Sequence, residues 1–114
     1  MSTYTPDHWV MLKITYKGEP TYKILAGWGG SYLYGASWKL NSGVTRVEDN
    51  GDFYSFYGYS GSVYECRKNS YGLSGYTAGI LDSFYKQAED NDDLKIECLH
   101  EDQTDFITIH YADN

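Results

Sequence analysis

Tyrosine, tryptophan and glycine concentrate in the middle of this 114-residue chain. Eleven of the twelve glycines and twelve of the twenty aromatic side chains fall between residues 27 and 79. Such rings present large apolar faces with a hydrogen-bonding edge, and rings two residues apart on a strand share one face. They can therefore stack on a nucleobase, on a sugar or on a partner's side chain. The candidate binding residues are the following rings and cations of this segment: Trp28, Tyr32, Tyr34, Trp38, Arg46, Tyr57, Tyr59 and Arg67.

The same rings are also candidates for the hydrophobic core. Hydrophobic residues make up 41% of the chain and aromatic residues 18%. Because one ring buries on the order of 150 to 250 Å², we expect an aromatic rather than an aliphatic core and assign roughly half of the central rings to it. The remainder would form a binding surface, with Arg46, Arg67 and Lys68 as the nearest cations in sequence for an anionic group.

Cysteine and histidine offer one candidate metal site. Cys98, His100 and His110 lie close in sequence, Cys66 could be a fourth ligand, and a thiol with two imidazoles suits zinc. The set lacks a Cys-x2-Cys pair, and we favour the interpretation that the histidines are solvated or hydrogen-bonded strand residues. We therefore assign no metal and no cofactor, and in a reducing cytosol we expect both cysteines to be free thiols.

Three acidic residues, Glu48, Asp52 and Glu65, could form the acid and base pair that glycoside hydrolysis requires. Glu48 and Asp52 flank a predicted hairpin turn, however, and are more naturally turn and edge residues. The chain also lacks a Gly-x-Ser-x-Gly elbow followed by a helix and the Lys-Ser/Thr pair of a phosphate-binding loop. We assign no catalytic residue and predict a non-enzymatic protein.

Alternation of apolar and polar side chains predicts the strands that must position these residues. The main predicted strands are residues 9–16, 21–26, 44–48, 53–57 and 62–67. Further short strands are predicted at 38–40, 94–99 and 106–111. Residues 27–37 are expected to be irregular or bulged because of their glycines. Asn50-Gly51 predicts a hairpin with a type I′ turn.

Helical spacing occurs once, where Ile80, Leu81, Phe84 and Ala88 form an apolar stripe. It predicts one main helix near residues 77–89, with Thr77 as its N-cap. The fold class is therefore α+β, a mostly antiparallel, twisted sheet with a β-meander and one helix. The length suits one domain. We predict a single domain over residues 9–114, preceded by a flexible N-terminal tail over residues 1–8.

The net charge is −7, and the C-terminal third carries it. Residues 80–114 hold ten acidic side chains against Lys86 and Lys95. Without a basic stripe to neutralise phosphates, we expect no direct binding of nucleic acid. The acidic region at residues 82–105 could instead imitate a phosphate backbone, although a solvated, solubilising face is the simpler interpretation.

The sequence contains no apolar run of the roughly 20 residues that span a bilayer. The first ten residues, MSTYTPDHWV, also lack a charged region followed by an apolar one, as a signal peptide would have. We predict a cytoplasmic protein without a membrane partner.

The central half of the chain resembles small uncharacterised accessory proteins of tailed bacteriophages. The elements that carry this resemblance are Gly27-Trp28, Tyr32-Leu33, Ser37-Trp38, Asn41-Ser42-Gly43, Tyr57-Gly58, Ser60-Gly61-Ser62 and Tyr71-Gly72-Leu73. The resemblance implies synthesis in the cytoplasm of an infected bacterium and brings no catalytic residues. Proteins of this kind are often inhibitors that act on host machinery.

The sequence and the resemblance together predict a non-enzymatic binding protein that inhibits a host defence component. It would sequester a small nucleotide-like signal or cover the surface of a host protein. Two alternatives are an acidic nucleic-acid mimic acting through residues 82–105 and a small carbohydrate-binding or hydrolytic domain. Whether identical chains assemble into an oligomer is left open.

Overall fold

Two four-stranded sheets and one long helix make up the fold. The computed structural model describes residues 2–31 and 35–111. Its strands are β1 (Thr3–Tyr4), β2 (His8–Tyr16), β3 (Glu19–Ser31), β4 (Gly35–Leu40), β5 (Val44–Asp49), β6 (Phe53–Gly58), β7 (Val63–Arg67) and β8 (Leu94–Cys98). The helix α1 spans Gly75–Glu89, and short 3-10 helices span Lys68–Ser70 and Glu101–Gln103.

The strands divide into two sheets of different order. Sheet I has the order β1-β7-β6-β5, and sheet II has the order β4-β3-β2-β8. All pairings between these strands are antiparallel except that of β1 with β7, which is parallel. The predicted α+β class, with a mostly antiparallel arrangement, a meander of β5, β6 and β7 and one main helix, is therefore confirmed.

Sheet II is the middle layer of the domain, because both of its faces are covered. In β2, Trp9 and Met11 pack with residues of sheet I such as Phe56, while Val10 and Leu12 pack with residues of α1 such as Leu81. The side chains of neighbouring strand residues point to opposite faces. This explains why Trp9, Val10, Met11 and Leu12 form a continuous buried run rather than an alternating one.

The helix begins and ends close to the predicted boundaries. Its N-cap is Ser74 rather than the predicted Thr77, whose backbone N–H instead donates to the Ser74 hydroxyl at 3.1 Å. The Thr77 hydroxyl in turn accepts from the Ser74 backbone N–H at 2.9 Å. Two amide groups at the end of the helix are satisfied reciprocally in this capping box. No helix among the described residues has both the length and the apolar composition to cross a membrane.

Three local predictions are wrong. The tail predicted at residues 1–8 instead contains β1, and Pro6 within it is fully buried. The strand predicted at 106–111 is a series of turns, in which the Tyr111 hydroxyl donates to the Phe106 carbonyl at 2.7 Å. The type I′ turn predicted at Asn50-Gly51 is absent, because Asn50 does not have the positive φ that this turn requires.

The two-residue turn with positive φ at both positions lies between β2 and β3. Lys17 has φ 51° and Gly18 has φ 83°, and the flanking residues Tyr16 and Glu19 are paired. These angles match the type I′ pattern, whose twist suits a hairpin. Lysine rarely adopts this conformation, but the Lys17 N–H gains a bond of 2.8 Å to the Asp93 carbonyl.

Candidate functional site

An open cleft lies where the edge strand β1 of sheet I meets the edge strand β4 of sheet II. It consists of two adjoining hollows of about 490 and 510 Å³. Both are lined by Tyr4, Trp38 and Lys39. We call them together the edge cleft. The aromatic lobe is further lined by Thr3, Thr5, Trp28 and Ser37, and the polar lobe by Leu40, Asn41, Ser42, Ser60, Ser62 and Tyr64.

Tyr4 is the centre of the edge cleft. Its ring centroid lies 5.2 Å from that of Tyr64 and 6.3 Å from that of Trp28, which meets it edge-on. The Lys39 Nζ lies 5.0 Å from the centroid of the same ring, within the range of a cation–π interaction. Three aromatic rings and one ammonium group therefore converge on a partly open surface.

Hydrogen bonds from β3 hold the segment around β1 in place. The Trp28 Nε1–H donates to the Thr5 carbonyl at 3.1 Å, and the Gly29 N–H donates to the Asp7 carboxylate at 2.7 Å. The Asp7 N–H also donates to the Gly27 carbonyl at 3.0 Å. Residues 3–7 thus join the two sheets, with β1 in sheet I and Asp7 bonded to sheet II.

Polar groups of the second lobe are held by two turns. Asn41, directly after β4, is 3% exposed and accepts a hydrogen bond from the Ile24 N–H at its Oδ1, with a distance of 2.8 Å. Beside it, the Ser42 Oγ accepts from the Ser60 N–H at 3.0 Å. The hydroxyls of Ser42, Ser60 and Ser62 follow one another at 3.3 and 3.4 Å.

The structure places the predicted site residues in several locations. Trp28 and Trp38 line the edge cleft. Arg46 and Tyr57 lie on neighbouring strands of sheet I, with the Arg46 Cζ 3.6 Å from the centroid of the Tyr57 ring. The exposed Tyr59 lies in the turn after β6, and the exposed Arg67 ends β7. The remaining two predicted residues, Tyr32 and Tyr34, lie outside the described residues.

Trp28 and Trp38 do not form one flat platform. Trp28 is paired with Ser37 and Trp38 with Gly27, so the two rings stand at successive register positions on opposite faces of sheet II. Trp38 lies edge-on to Phe84 of α1, with the centroids 5.7 Å apart, and is 37% exposed. Trp28 instead packs against the core between the sheets.

Arg46, Glu48 and Tyr57 form a separate cluster on sheet I. Glu48 Oε1 accepts hydrogen bonds from the Tyr57 hydroxyl and, at 3.1 Å, from the Arg46 guanidinium. These bonds, that of Tyr57 first, hold the pKa of Glu48 below its usual value. The hydrogen bond between Tyr57 and Glu48 also raises the pKa of the Tyr57 hydroxyl. The cluster therefore pairs its own charges rather than presenting a free cation to a ligand.

The acidic residues that could act as an acid and base pair lie on this same sheet. Glu48 and Glu65 are both paired with Ser55, on the strands either side of it, whereas Asp52 lies in the turn between β5 and β6. A general acid needs a raised pKa to hold its proton near neutrality. The lowered pKa of Glu48 is the opposite of that requirement.

The candidate metal ligands do not form a site in the described part of the chain. No group of three or more histidine, cysteine or acidic side chains in residues 2–31 and 35–111 is arranged to hold a metal ion. Cys98 and His100 share a hollow of about 430 Å³, while Cys66 is buried between the sheets. Both cysteines are free, and burial raises the pKa of each thiol.

Sequence reasoning missed Tyr4, Lys39 and Asn41 as site residues. Tyr4 carries the signal of an aromatic residue two positions before Pro6, but it lies outside the glycine-rich segment. Its partner Tyr64 is 60 positions away, and their contact depends on the parallel pairing of β1 with β7. Lys39 and Asn41 could have been included, because they lie close to Trp38 within the glycine-rich segment and have side chains that donate hydrogen bonds.

A comparison with protein-family models, with curated proteins and with solved structures finds no match to this chain.

Proposed function

We propose that this is a non-enzymatic binding protein whose edge cleft holds a small nucleotide-like ligand. The observation that carries the proposal is the group of rings at the junction of the two sheets, where Tyr4 contacts Trp28 and Tyr64 beneath the ammonium group of Lys39. A base could stack on such rings, and stacking contributes roughly 1 to 3 kcal/mol per base. Lys39 could neutralise one negative charge beside it.

The size of the cleft also supports a small ligand. Binding sites for small molecules commonly measure about 300 to 1,000 Å³ and combine apolar walls with a few fixed polar groups. Each lobe falls within that range, with aromatic side chains in both lobes and serine and asparagine groups in the second. A ligand with a flat ring and a polar substituent matches this division.

Charge limits the choice of ligand. Lys39 is the cation that lines both lobes, and the chain as a whole carries a net charge of −7. A highly charged polyphosphate would meet one lysine and a repulsive protein field. A nucleoside, or a nucleotide with one phosphate group, is the better match.

The resemblance to phage accessory proteins supplies the biological part of the proposal. A protein made in the cytoplasm of an infected bacterium could inhibit host defence by sequestering a nucleotide-like signal without altering it. The lowered pKa of Glu48 argues against that residue as a general acid.

The experiment is a calorimetric titration with adenosine and adenosine monophosphate. We expect Trp38→Ala to weaken binding about 5- to 150-fold, which corresponds to the loss of one stacking contact. Tyr85→Ala is the matched control, because Tyr85 is an equally exposed ring on α1 that does not line either lobe. Lys39→Gln should weaken the monophosphate more than the nucleoside, with Lys86→Gln as its control.

Thermal melts accompany each titration, because a lost ring can also destabilise the fold. If neither probe binds the unaltered protein, or if Trp38→Ala and Tyr85→Ala behave alike, the edge cleft is not the site. If each substitution of an aromatic residue between positions 28 and 38 lowers the affinity in proportion to the fall in melting temperature, this segment has a structural role and the proposal is wrong.

A second candidate function is charge mimicry by the acidic residues 82–105. With the exception of Glu97, the acidic side chains of this region are exposed. Ion pairs among the described residues involve two of them, Asp82 with Lys86 and Glu97 with Lys95. Binding through such charges should weaken steeply with salt, since the screening length is about 10 Å at 0.1 M. Joint neutralisation of Asp90, Asp92, Asp93 and Asp102 would abolish it and leave the edge cleft intact.

A further inference from the structure

We infer that the polar lobe of the edge cleft binds the vicinal hydroxyl groups of a ribose. The ligand class would then be a ribonucleoside or its monophosphate, rather than a deoxyribonucleoside or a free base. This inference rests on the proposed function and identifies the part of the ligand that gives selectivity.

Asn41 provides the first observation. Its side chain is buried, and its Oδ1 is committed to the Ile24 N–H at 2.8 Å, while its own backbone N–H donates to the Ile24 carbonyl at 3.0 Å. This bond fixes the orientation of the side-chain amide. Nδ2 has no hydrogen-bond partner among the described residues. Buried donors without a partner are rare in folded proteins and call for an explanation.

Gly58 keeps space open beside this donor. A Cβ atom at that position would lie 3.1 Å from the Ser42 Oγ and 3.4 Å from the Asn41 Nδ2. The backbone of Gly58 has a φ that other residues can adopt, because it is not among the glycines with positive φ. The glycine is therefore suited to this place by its lack of a side chain, which leaves the hydroxyl and the amide uncrowded.

Three serine hydroxyls complete the lobe. Ser42 donates to Ser60 at 3.3 Å, and Ser60 donates to Ser62 at 3.4 Å. In this arrangement the Ser62 hydroxyl accepts from its neighbour and retains its own hydrogen for a ligand. The lobe thus offers a hydroxyl that can both donate and accept, and Asn41, whose amide nitrogen has no partner among the described residues, lines the same lobe.

Neutral groups of this kind match a diol better than a phosphate. The hydroxyls of a ribose donate and accept hydrogen bonds in the same way as the serines. A phosphate would favour arginine or several lysines, and among the described residues that line the polar lobe the cation is Lys39 alone. Lys39 also lines the aromatic lobe, where it remains available for a single phosphate outside the diol site.

The test compares adenosine, 2′-deoxyadenosine and adenine by titration calorimetry with the full chain. We expect adenosine to bind about five-fold more tightly than 2′-deoxyadenosine, as the loss of one hydrogen bond predicts. Ser62→Ala should weaken adenosine by about the same factor and leave 2′-deoxyadenosine unchanged. Ser70→Ala is the matched control, because Ser70 lies beyond the other end of β7 and bonds to Asn69 alone among the described side chains.

Asn41→Asp tests the amide donor, since it retains an oxygen for the Ile24 N–H and replaces Nδ2. We expect it to lose the preference for adenosine, and Ser62→Ala keeps the inference testable if the buried carboxylate prevents folding. Equal binding of adenosine, 2′-deoxyadenosine and adenine would overturn the ribose inference while leaving the proposed function in place. Binding of inorganic phosphate that depends on Ser62 would also overturn it in favour of a phosphate site. If none of the probes binds, the proposed function fails as well.

Discussion

The domain has two hydrophobic layers built from different side chains. Between sheets I and II the core is aromatic, with Trp9 at its centre in contact with Tyr54, Phe56, Tyr71 and Phe106. Between sheet II and α1 the core is largely aliphatic, and its fully buried members are Val10, Leu12, Leu25 and Leu81. The neighbouring strands β2 and β3 each supply alternate residues to both layers.

The aromatic layer carries polar groups that must be satisfied. The Trp9 Nε1–H donates to the Arg67 carbonyl at 2.7 Å, and the Tyr71 hydroxyl donates to the Leu99 carbonyl at 2.6 Å. Tyr71 also accepts from the Met11 N–H at 3.1 Å. Such bonds add a geometric requirement that an aliphatic layer lacks. The difference teaches that the ring layer specifies how the sheets meet, while the aliphatic layer mainly excludes water.

The edge cleft continues the aromatic layer to the surface. Tyr4 and Trp28 are partly buried and pack against the same cluster as Trp9. Both rings are only partly buried where β1 and β4 end their sheets, so part of each ring reaches solvent there. The aromatic core of this chain and the rings of the edge cleft therefore belong to one cluster of side chains.

Trp9→Ala should give the largest loss of stability. Trp9 is 1% exposed, and truncation of a buried tryptophan costs about 3 to 5 kcal/mol, a large share of the total for a small domain. Trp9→Phe keeps a ring but loses the bond to the Arg67 carbonyl and should cost about 1 to 3 kcal/mol. Urea unfolding followed by circular dichroism measures both. A Trp9→Ala loss smaller than that of Leu81→Ala would contradict the contrast between the layers.

Leu81→Ala tests the aliphatic layer and should cost about 2 to 3 kcal/mol. Leu81 is 4% exposed, and the expected value lies in the lower part of the range for such truncations, because α1 can settle onto sheet II. The exposed Gln87→Ala on the same helix should change stability by less than about 0.5 kcal/mol. The same urea series applies, and equal effects at the two positions would show that α1 contributes little packing energy.

Alkaline pH should lower the stability of the aromatic layer, whereas changes of pH near neutrality should have little effect on it. Burial raises the pKa of Tyr64 to about 12 and also raises the pKa values of Tyr71 and Tyr111. In the unfolded chain tyrosine ionises near about 10. The contribution of these residues is therefore complete below about pH 10 and is lost as the pH rises from there towards 12.

Ultraviolet absorbance of the phenolate group and urea midpoints between neutral and alkaline pH measure this dependence. Tyr64→Phe should reduce the alkaline loss of stability and have little effect at neutral pH, because the Tyr64 hydroxyl has no hydrogen bond to a described residue in the structure. If all tyrosines of the folded protein ionise together near pH 10, the aromatic layer is open to water and the contrast fails.

The sequence predicted those strands and the helix whose pattern of apolar residues lies within one short segment. The alternation in β2, β5, β6 and β7 and the apolar stripe of α1 are contained within short segments, and these strands and the helix were found near their predicted bounds. The split into two sheets was missed because it depends on pairings between distant segments. The parallel pairing of Thr3 and Tyr4 with Val63 and Tyr64 has no signature in a two-residue strand.

The end of the described chain shows how side-chain bonds can override a strand pattern. Residues 106–111 alternate in sequence, but Asp105 accepts from the Ile107 N–H at 3.1 Å through its carboxylate and from the Thr108 N–H at 3.2 Å through its carbonyl. These bonds turn the chain, so that Phe106 and Tyr111 both enter the aromatic layer. A short acidic side chain at the start of the segment competes with strand pairing in this way.

Two residues that line the edge cleft were predicted from the sequence. Trp28 and Trp38 belong to the glycine-rich segment and do line the cleft, whereas Arg46, Tyr57, Tyr59 and Arg67 lie elsewhere on sheet I or its turns. Composition locates an aromatic surface, but the pairing of strands decides which rings meet. Tyr4 could not be placed without knowing that β1 joins sheet I.

The parallel pairing of β1 also has a consequence for the order of folding. The β2–β3 hairpin and the β5-β6-β7 meander connect neighbours in sequence, whereas β1 must close a loop of about 60 residues, which makes its contacts late and slow. The Val63 N–H donates to the Ser2 carbonyl at 2.8 Å, so hydrogen exchange at Val63 reports when β1 has docked. A molecule bound against Tyr4 would stabilise the docked state of β1, the strand that pairs last. We therefore expect it to slow hydrogen exchange at Val63 more than exchange in the β2–β3 hairpin.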